Sequence, residues 1–244
     1  MLGLPGGIRG CLFDLDGVLT QTAVLHAAAW QEMFDDFLRT RAEQTGGQFI
    51  PFNPVSDYHQ YVDGRPRDEG TKSFLASRGI DLPAGAADDP PGTPTINGLS
   101  SAKNEIALRR LRTDGVQPYP GSVRYVHAAA NAGLRRAVVS ASANAADVLE
   151  GAGLADLFEA RIDGEVAAQQ DLPGKPEPDT FLAGARALGL APEAAAVFED
   201  ALAGVAAGRA GQFGFVVGID RAGQAAALRE HGADLVVSDL AELL

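Results

Sequence analysis

From Gly121 onward, short apolar runs alternate with alanine-rich amphipathic stretches, and this alternation restricts the fold more than any other feature of the chain. The runs at 136–141, 195–199, 214–219 and 233–237 read as strands, and the stretches at 122–132, 145–152, 179–188, 204–210 and 224–231 read as helices. The strands are apolar throughout rather than at every second residue, the pattern of strands buried on both faces. A parallel sheet covered by helices on each side accommodates both observations. Residues 9–15 (RGCLFDL) add a buried strand much earlier in the chain. The expectation is an α/β protein with a Rossmann-like parallel sheet core.

Residues 22 to about 102 lack that alternation. The stretch 22–41 reads as a helix with Leu25, Ala29, Met33 and Phe37 on one face. A polar segment at 48–61, a helix at 69–77 and a Pro/Gly/Asp-rich loop at 82–94 follow. This reads as a helical cap inserted directly after the first strand. Ligands of open α/β sheets bind beyond the C-terminal ends of the strands, so a module inserted there is placed to act as a lid. The expected division is a core of 1–20 and 105–244 and a cap of 21–104, with hinges near 20–22 and 99–103.

Composition narrows the partners. The chain has 244 residues, and 32 acidic against 20 basic side chains give a net charge of −12. Nucleic acid and anionic membranes call for a basic surface, so neither is an expected partner. The single cysteine, Cys11, excludes an intramolecular disulfide and a cysteine-rich metal cage and reads as a small core residue. No run approaches the roughly 18 apolar residues of a membrane span. The expectation is a soluble, cytoplasmic monomer.

Chemistry gathers at the predicted strand ends. Asp14 and Asp16 stand two residues apart after the first strand. In extended backbone they would share a face about 6–7 Å apart, suited to a nucleophile and a general acid/base. Ser140, Ser142 and Asn144 follow the second predicted strand at the start of a helix, where backbone N–H groups favour an anion. Lys175 lies in the proline-braced loop Gly174-Lys-Pro-Glu-Pro-Asp179, and Glu199-Asp200 ends the next strand. Taken singly, each has a structural reading as a helix cap, a solvated lysine or a loop acid. Gathered in one sheet, four carboxylates beside one lysine need a cation. At ~4 Å each like-charge pair costs on the order of 4 kcal/mol at an effective dielectric of ~20. A hard, oxygen-only site suits Mg²⁺, and the set describes phosphoryl transfer.

Phe13-Asp14-Leu-Asp16-Gly17-Val-Leu-Thr20, Ser140, Gly174-Lys175-Pro176 and Glu199-Asp200 resemble, in order, the four motifs of the haloacid dehalogenase superfamily. The resemblance implies that Asp14 attacks phosphorus to form an aspartyl phosphate. It implies that Asp16 protonates the leaving oxygen and then activates the acceptor, and that Ser140 and Lys175 hold the phosphoryl oxygens. Asp14, the Asp16 carbonyl, Glu199 and Asp200 would surround Mg²⁺. Thr22, His26 and Trp30, then Gly64-Arg-Pro-Arg67, Lys103-Asn104 and Ser142-Ala-Asn144, resemble the helical-cap β-phosphoglucomutases. In these, the equivalents of His26 and Arg67 orient Asp16 and grip the distal phosphate of a small phosphorylated sugar. The wider stretches from Tyr61 and Ser73 are similar to bacterial β-phosphoglucomutase-family hydrolases. Gln21, Asp63, Ala143 and Ala201 depart from the mutase pattern. Asp63 and Ala143 stand where related mutases carry lysines, which favours the alternative of a phosphosugar phosphatase. A non-catalytic binding protein is a third reading. His26 and Trp30 also have plain readings as helix packing residues, while Gly151-Ala-Gly153 lacks the third glycine and the preceding strand of a dinucleotide loop.

Overall fold

The computed structural model describes residues 2–244. The chain runs β1 (Gly10–Phe13), α1 (Thr22–Thr45), α2 (Arg67–Ser77), α3 (Ile96–Asp114), α4 (Pro120–Asn131), β2 (Arg135–Val139) and α5 (Ala145–Gly151). It continues through β3 (Ala160–Ile162), α6 (Gly164–Gln169), α7 (Asp179–Ala187), β4 (Ala195–Glu199), α8 (Leu202–Ala210), β5 (Phe215–Ile219), α9 (Ala225–Glu230) and β6 (Leu235–Val237). By its contacts it divides into two compact units, residues 1–21 with 116–244, and residues 22–115. Among the described residues no helix is long and apolar enough to cross a membrane.

The first unit is built on a six-stranded parallel sheet in the order β3-β2-β1-β4-β5-β6. Side chains alternate across it. Leu12, Val139, Val197 and Val216 face α7 and α8 in one apolar layer with Phe181. On the other face Phe13 stacks on Phe198 at 4.6 Å, and Tyr125 of α4 meets both rings. Gly184 lets α7 approach closely, since a Cβ there would press on Leu12 and Val139. β4 is wholly buried, as its unbroken apolar run requires. β3 and α6 were not among the predicted elements. The three-residue strand Ala-Arg-Ile is too short to show a period.

Residues 15–20 form a tight turn in which the Gly17 N–H donates to the Thr20 carbonyl and the Thr20 N–H to that of Leu15. Beside it Thr20 bridges Pro118, and the Gln21 N–H donates to Gln117 O at 2.8 Å. The two chain segments that lead to and from residues 22–115 thus leave the sheet unit side by side.

The second unit is helical. Phe34 sits at its centre, 5.2 Å from Trp30, 5.4 Å from Phe52 and 4.1 Å from Phe74 between ring centroids. Leu75, Leu99 and Met33 complete this core. The buried stripe of α1 holds Thr22, His26, Ala29, Trp30, Met33, Phe34 and Leu38. Leu25 and Phe37, expected on the core face, are only half-buried. The stripe is rotated because bulky Trp30 and Phe34 fill the core better. α3 starts at an N-cap where the Thr95 hydroxyl accepts from Gly98 N–H, and it stops at Gly115, whose φ of 72° favours glycine. The change-over expected at 104–105 therefore falls inside a helix, and the division by contacts lies at 115–116.

Candidate active site

Asp14 follows β1 immediately, and its N–H donates to the Phe198 carbonyl at 2.9 Å, which ties it to β4. β1 ends at Phe13, two residues sooner than expected, and Asp16 belongs to the turn. The extended-strand argument therefore does not place Asp16. The turn places it, leaving it half-buried beside a buried Asp14. Gly17 has φ 88°, and a Cβ there would overlap the Asp200 carboxylate. Only glycine lets the two acidic loops pack together.

Lys175 reaches this point from the loop before α7. Its Nζ donates to Asp14 Oδ1 at 2.5 Å, to Glu199 Oε1 at 2.6 Å and to the Val139 carbonyl at 3.1 Å. The side chains of Lys175 and Glu199 are 1% and 0% exposed, so this is an interior ion-pair cluster. Glu199 Oε2 accepts from Ala201 N–H, and Gly204 leaves room for its carboxylate. Ser140, one residue beyond the carbonyl that Lys175 touches, is buried, and its Oγ accepts from Ser142 N–H. Ser142 Oγ accepts in turn from Asn144 N–H. A hydroxyl that accepts still has its own proton to donate, so both serines brace the loop and remain donors.

The model of the haloacid dehalogenase-like hydrolases matches residues 8–212. The chain belongs to this family. It is 56% identical over 247 residues to a β-phosphoglucomutase of Mycobacterium bovis, covering 100% of this chain and 94% of that one. It is 33% identical over 212 residues to hexitol phosphatase A of Escherichia coli, covering 83% and 79%. Among solved structures, a β-phosphoglucomutase of Clostridium difficile superposes with a TM-score of 0.74 at 25% identity, covering 97% of this chain and 93% of that one. The parallel sheet with its surrounding helices is the fold of these haloacid dehalogenase-like proteins, and the chain is an enzyme of that superfamily.

Haloacid dehalogenase-like hydrolases generally use a divalent metal, and the residues present fit one. Oxygens of Asp14, Glu199 and Asp200 lie within 4.8 Å of one another, all buried. Like charges at that spacing repel by about 3–4 kcal/mol per pair at an effective dielectric of about 20. Burial raises the Asp14 carboxyl well above its ordinary range, against the pull of Lys175 and with Glu199 and Asp16 pushing the same way. Burial also acts to deprotonate Lys175, but Asp14 and Glu199 outweigh it and hold the ammonium above its usual value. One lysine compensates one carboxylate, so a hard cation among these oxygens completes the balance.

The other predicted residues of this haloacid dehalogenase-like enzyme lie in the helical unit. Lys103, on α3, is buried; its Nζ is 2.9 Å from His26 Nδ1 and 5.0 Å from the Trp30 ring centre. Thr22 lies one turn before His26 on the same buried stripe. Arg67 opens α2; burial lowers its pKa, Asp68 opposes this, and its Nε has no hydrogen-bond partner. Gly64, with φ 69°, makes the turn into α2. Asp63 is buried and lies 2.9 Å from His59 Nδ1. The structure thus brings Asp14, Lys175, Glu199 and Asp200 into one cluster and His26, Trp30 and Lys103 into another. Arg221 and Gln224, absent from the predicted set, bond the backbone of the two acidic loops. Their sole sequence signal is a position just after a predicted strand.

Proposed function

We propose that this enzyme is a Mg²⁺-dependent phosphomutase that converts β-glucose 1-phosphate to glucose 6-phosphate. The observation that carries phosphoryl transfer is the buried Lys175 bridge between Asp14 and Glu199. Such a bridge holds a carboxylate nucleophile and an ammonium where a phosphoryl group needs them. The full-length likeness to the mycobacterial β-phosphoglucomutase supports the choice of substrate.

In this reading an Asp14 oxygen forms a bond to phosphorus while the ester oxygen leaves with a proton from Asp16. Asp16 then takes the proton of an incoming sugar hydroxyl as that oxygen displaces Asp14. Ser140 and Lys175 hold the phosphoryl oxygens. Mg²⁺ would be held by the carboxylates of Asp14, Glu199 and Asp200 and the carbonyl of Asp16, and bound there it neutralises charge that builds on the transferring group. A mutase must also grip the second phosphate of a bisphosphorylated sugar; in this reading His26, Lys103 and the half-buried Arg67 supply cations and donors for it, with Thr22, Trp30 and Gly64 as the further substrate contacts of the helical unit and Ser142 and Asn144 as those of the α/β unit.

The second reading is a phosphosugar phosphatase. The buried acid Asp63, 2.9 Å from His59 Nδ1, favours it, as does the likeness to a hexitol phosphatase. One assay separates the two: pure enzyme with Mg²⁺, β-glucose 1-phosphate and catalytic glucose bisphosphate. Glucose 6-phosphate should appear faster than inorganic phosphate, and the reverse ratio would overturn the mutase in favour of the phosphatase.

A further inference from the structure

The loop after β5 takes no part in the reaction just described, yet it bonds both acidic loops. Asp220 Oδ1 accepts from the N–H groups of Ala222 at 3.3 Å and Gln224 at 2.8 Å, which stiffens the turn into α9. From this turn Arg221 Nε donates to the Gly17 carbonyl at 2.9 Å, and Nη1 donates to the Ser238 carbonyl at 2.7 Å. Its guanidinium lies 3.7 Å from the centre of the Tyr119 ring. Gln224 Nε2 donates to the Asp200 carbonyl at 3.0 Å. The acceptors are the Gly17 carbonyl, one residue beyond Asp16 in the Gly17–Val18 peptide, and the carbonyl of Asp200 itself.

We propose that Arg221 is a positioning residue for phosphoryl transfer, with Gln224 in support. The guanidinium pins the carbonyl on the far side of Gly17 while Thr20 holds its N–H, so the Gly17 backbone and with it the direction in which Asp16 presents its carboxyl are set, and Gln224 fixes the loop that carries Asp200. The proposal rests on the roles given above to Asp14 and Asp16. Glycine is the residue least able to hold its own dihedrals, so the turn at Gly17 needs an outside donor. Within the turn the Gly17 N–H is already engaged with Thr20, and Arg221 engages the carbonyl. An arginine suits this task because a planar fork can bond two carbonyls while stacking on an aromatic face, which a lysine cannot do. With Nε and Nη1 on backbone carbonyls, Nη1 also 3.4 Å from Asp239 Oδ2, and one face against Tyr119, the group is built into the protein, and its Nη2, though without a hydrogen-bond partner, is buried.

The test compares Arg221→Ala, Arg221→Lys and wild type by steady-state kinetics and by amide hydrogen exchange at Gly17, Leu19 and Thr20. A misplaced acid/base costs turnover rather than binding. Arg221→Ala should therefore lower kcat by about 10- to 100-fold with KM within about threefold, because an ångström of misplacement reaches that scale. Millimolar guanidinium should restore part of the loss, and the three amides should exchange faster than in wild type. Arg221→Lys keeps the charge and should fall between the two; it decides the matter if the alanine variant does not fold. A rise in KM at unchanged kcat would make Arg221 a substrate contact and overturn the proposal, as would wild-type kcat with unchanged exchange in either variant. If wild type itself transfers no phosphoryl group, the functional reading fails separately. Loop exchange then decides alone: faster exchange keeps the clamp, and unchanged exchange removes it.

Discussion

Lys175 and Lys103 are both buried, and they meet opposite partners. In the α/β unit, Lys175 donates to two carboxylates and a carbonyl, and a third carboxylate stands beside them. In the helical unit, Lys103 meets an imidazole nitrogen and an indole face, and Arg67 has its pKa lowered by burial. The first site has a surplus of negative charge and calls for a cation. The second keeps positive groups inside and suits an anion. For a chain of net charge −12, attraction for a phosphate must come from such local arrangements rather than from the overall field.

The contrast can be broken first on the acidic side. Asp14→Asn should reduce turnover by on the order of 10⁴-fold or more, because it removes the proposed nucleophile, and a coupled glucose 6-phosphate assay reads it. Near-normal turnover would mean that the attacking group lies elsewhere. Lys175→Met comes next, since it leaves buried carboxylates without their cation. Urea denaturation should show a loss of about 3–5 kcal/mol, and Mg²⁺ should recover part of it. Lys103→Met is the matched control in the other unit. It should cost only about 1–2 kcal/mol, while KM rises about tenfold with kcat less affected. Equal stability losses at the two lysines would erase the distinction drawn here.

Metal removal sharpens the same point. Chelation with EDTA should eliminate activity, and Mg²⁺ should raise the melting temperature of the wild-type protein, by scanning fluorimetry, and not that of Glu199→Gln. An effect that vanishes at neutral pH lies at Cys11, where burial, opposed by Arg136, pushes the thiol up to about 12 from 9.0. The unfolded chain loses this proton first, so stability falls as pH rises through 9 toward 12, by at most about 1.4 kcal/mol per pH unit. A Cys11→Ala variant should show a flatter pH dependence over that window, and native Cys11 should resist alkylation at pH 8.

Much of the sheet was legible because buried parallel strands write themselves as apolar runs, and β2, β4, β5 and β6 lie within a residue or two of the expected ranges. β3 was not, because three residues carry no period. α3 escaped because Gly98, Asn104 and the Arg109-Arg110-Leu-Arg112 stretch blur its apolar face; the Thr95 cap and Gly115 stop define it instead. Asp14, Glu199 and Asp200 at strand ends and Lys175 in its proline-braced loop could be read since their chemistry lies in the side chains. Arg221 could not, since its partners at Gly17 and Ser238 are backbone carbonyls, and a carbonyl leaves no trace in a sequence.

The pairing of Gln21 with Gln117 has a consequence for engineering and for ancestry. Because the insert's two ends leave the α/β unit as neighbours, a short glycine turn can join residue 21 to residue 116 without stretching the sheet. The helical module is therefore an exchangeable cassette, and a chain with that turn in its place should still fold around its six strands.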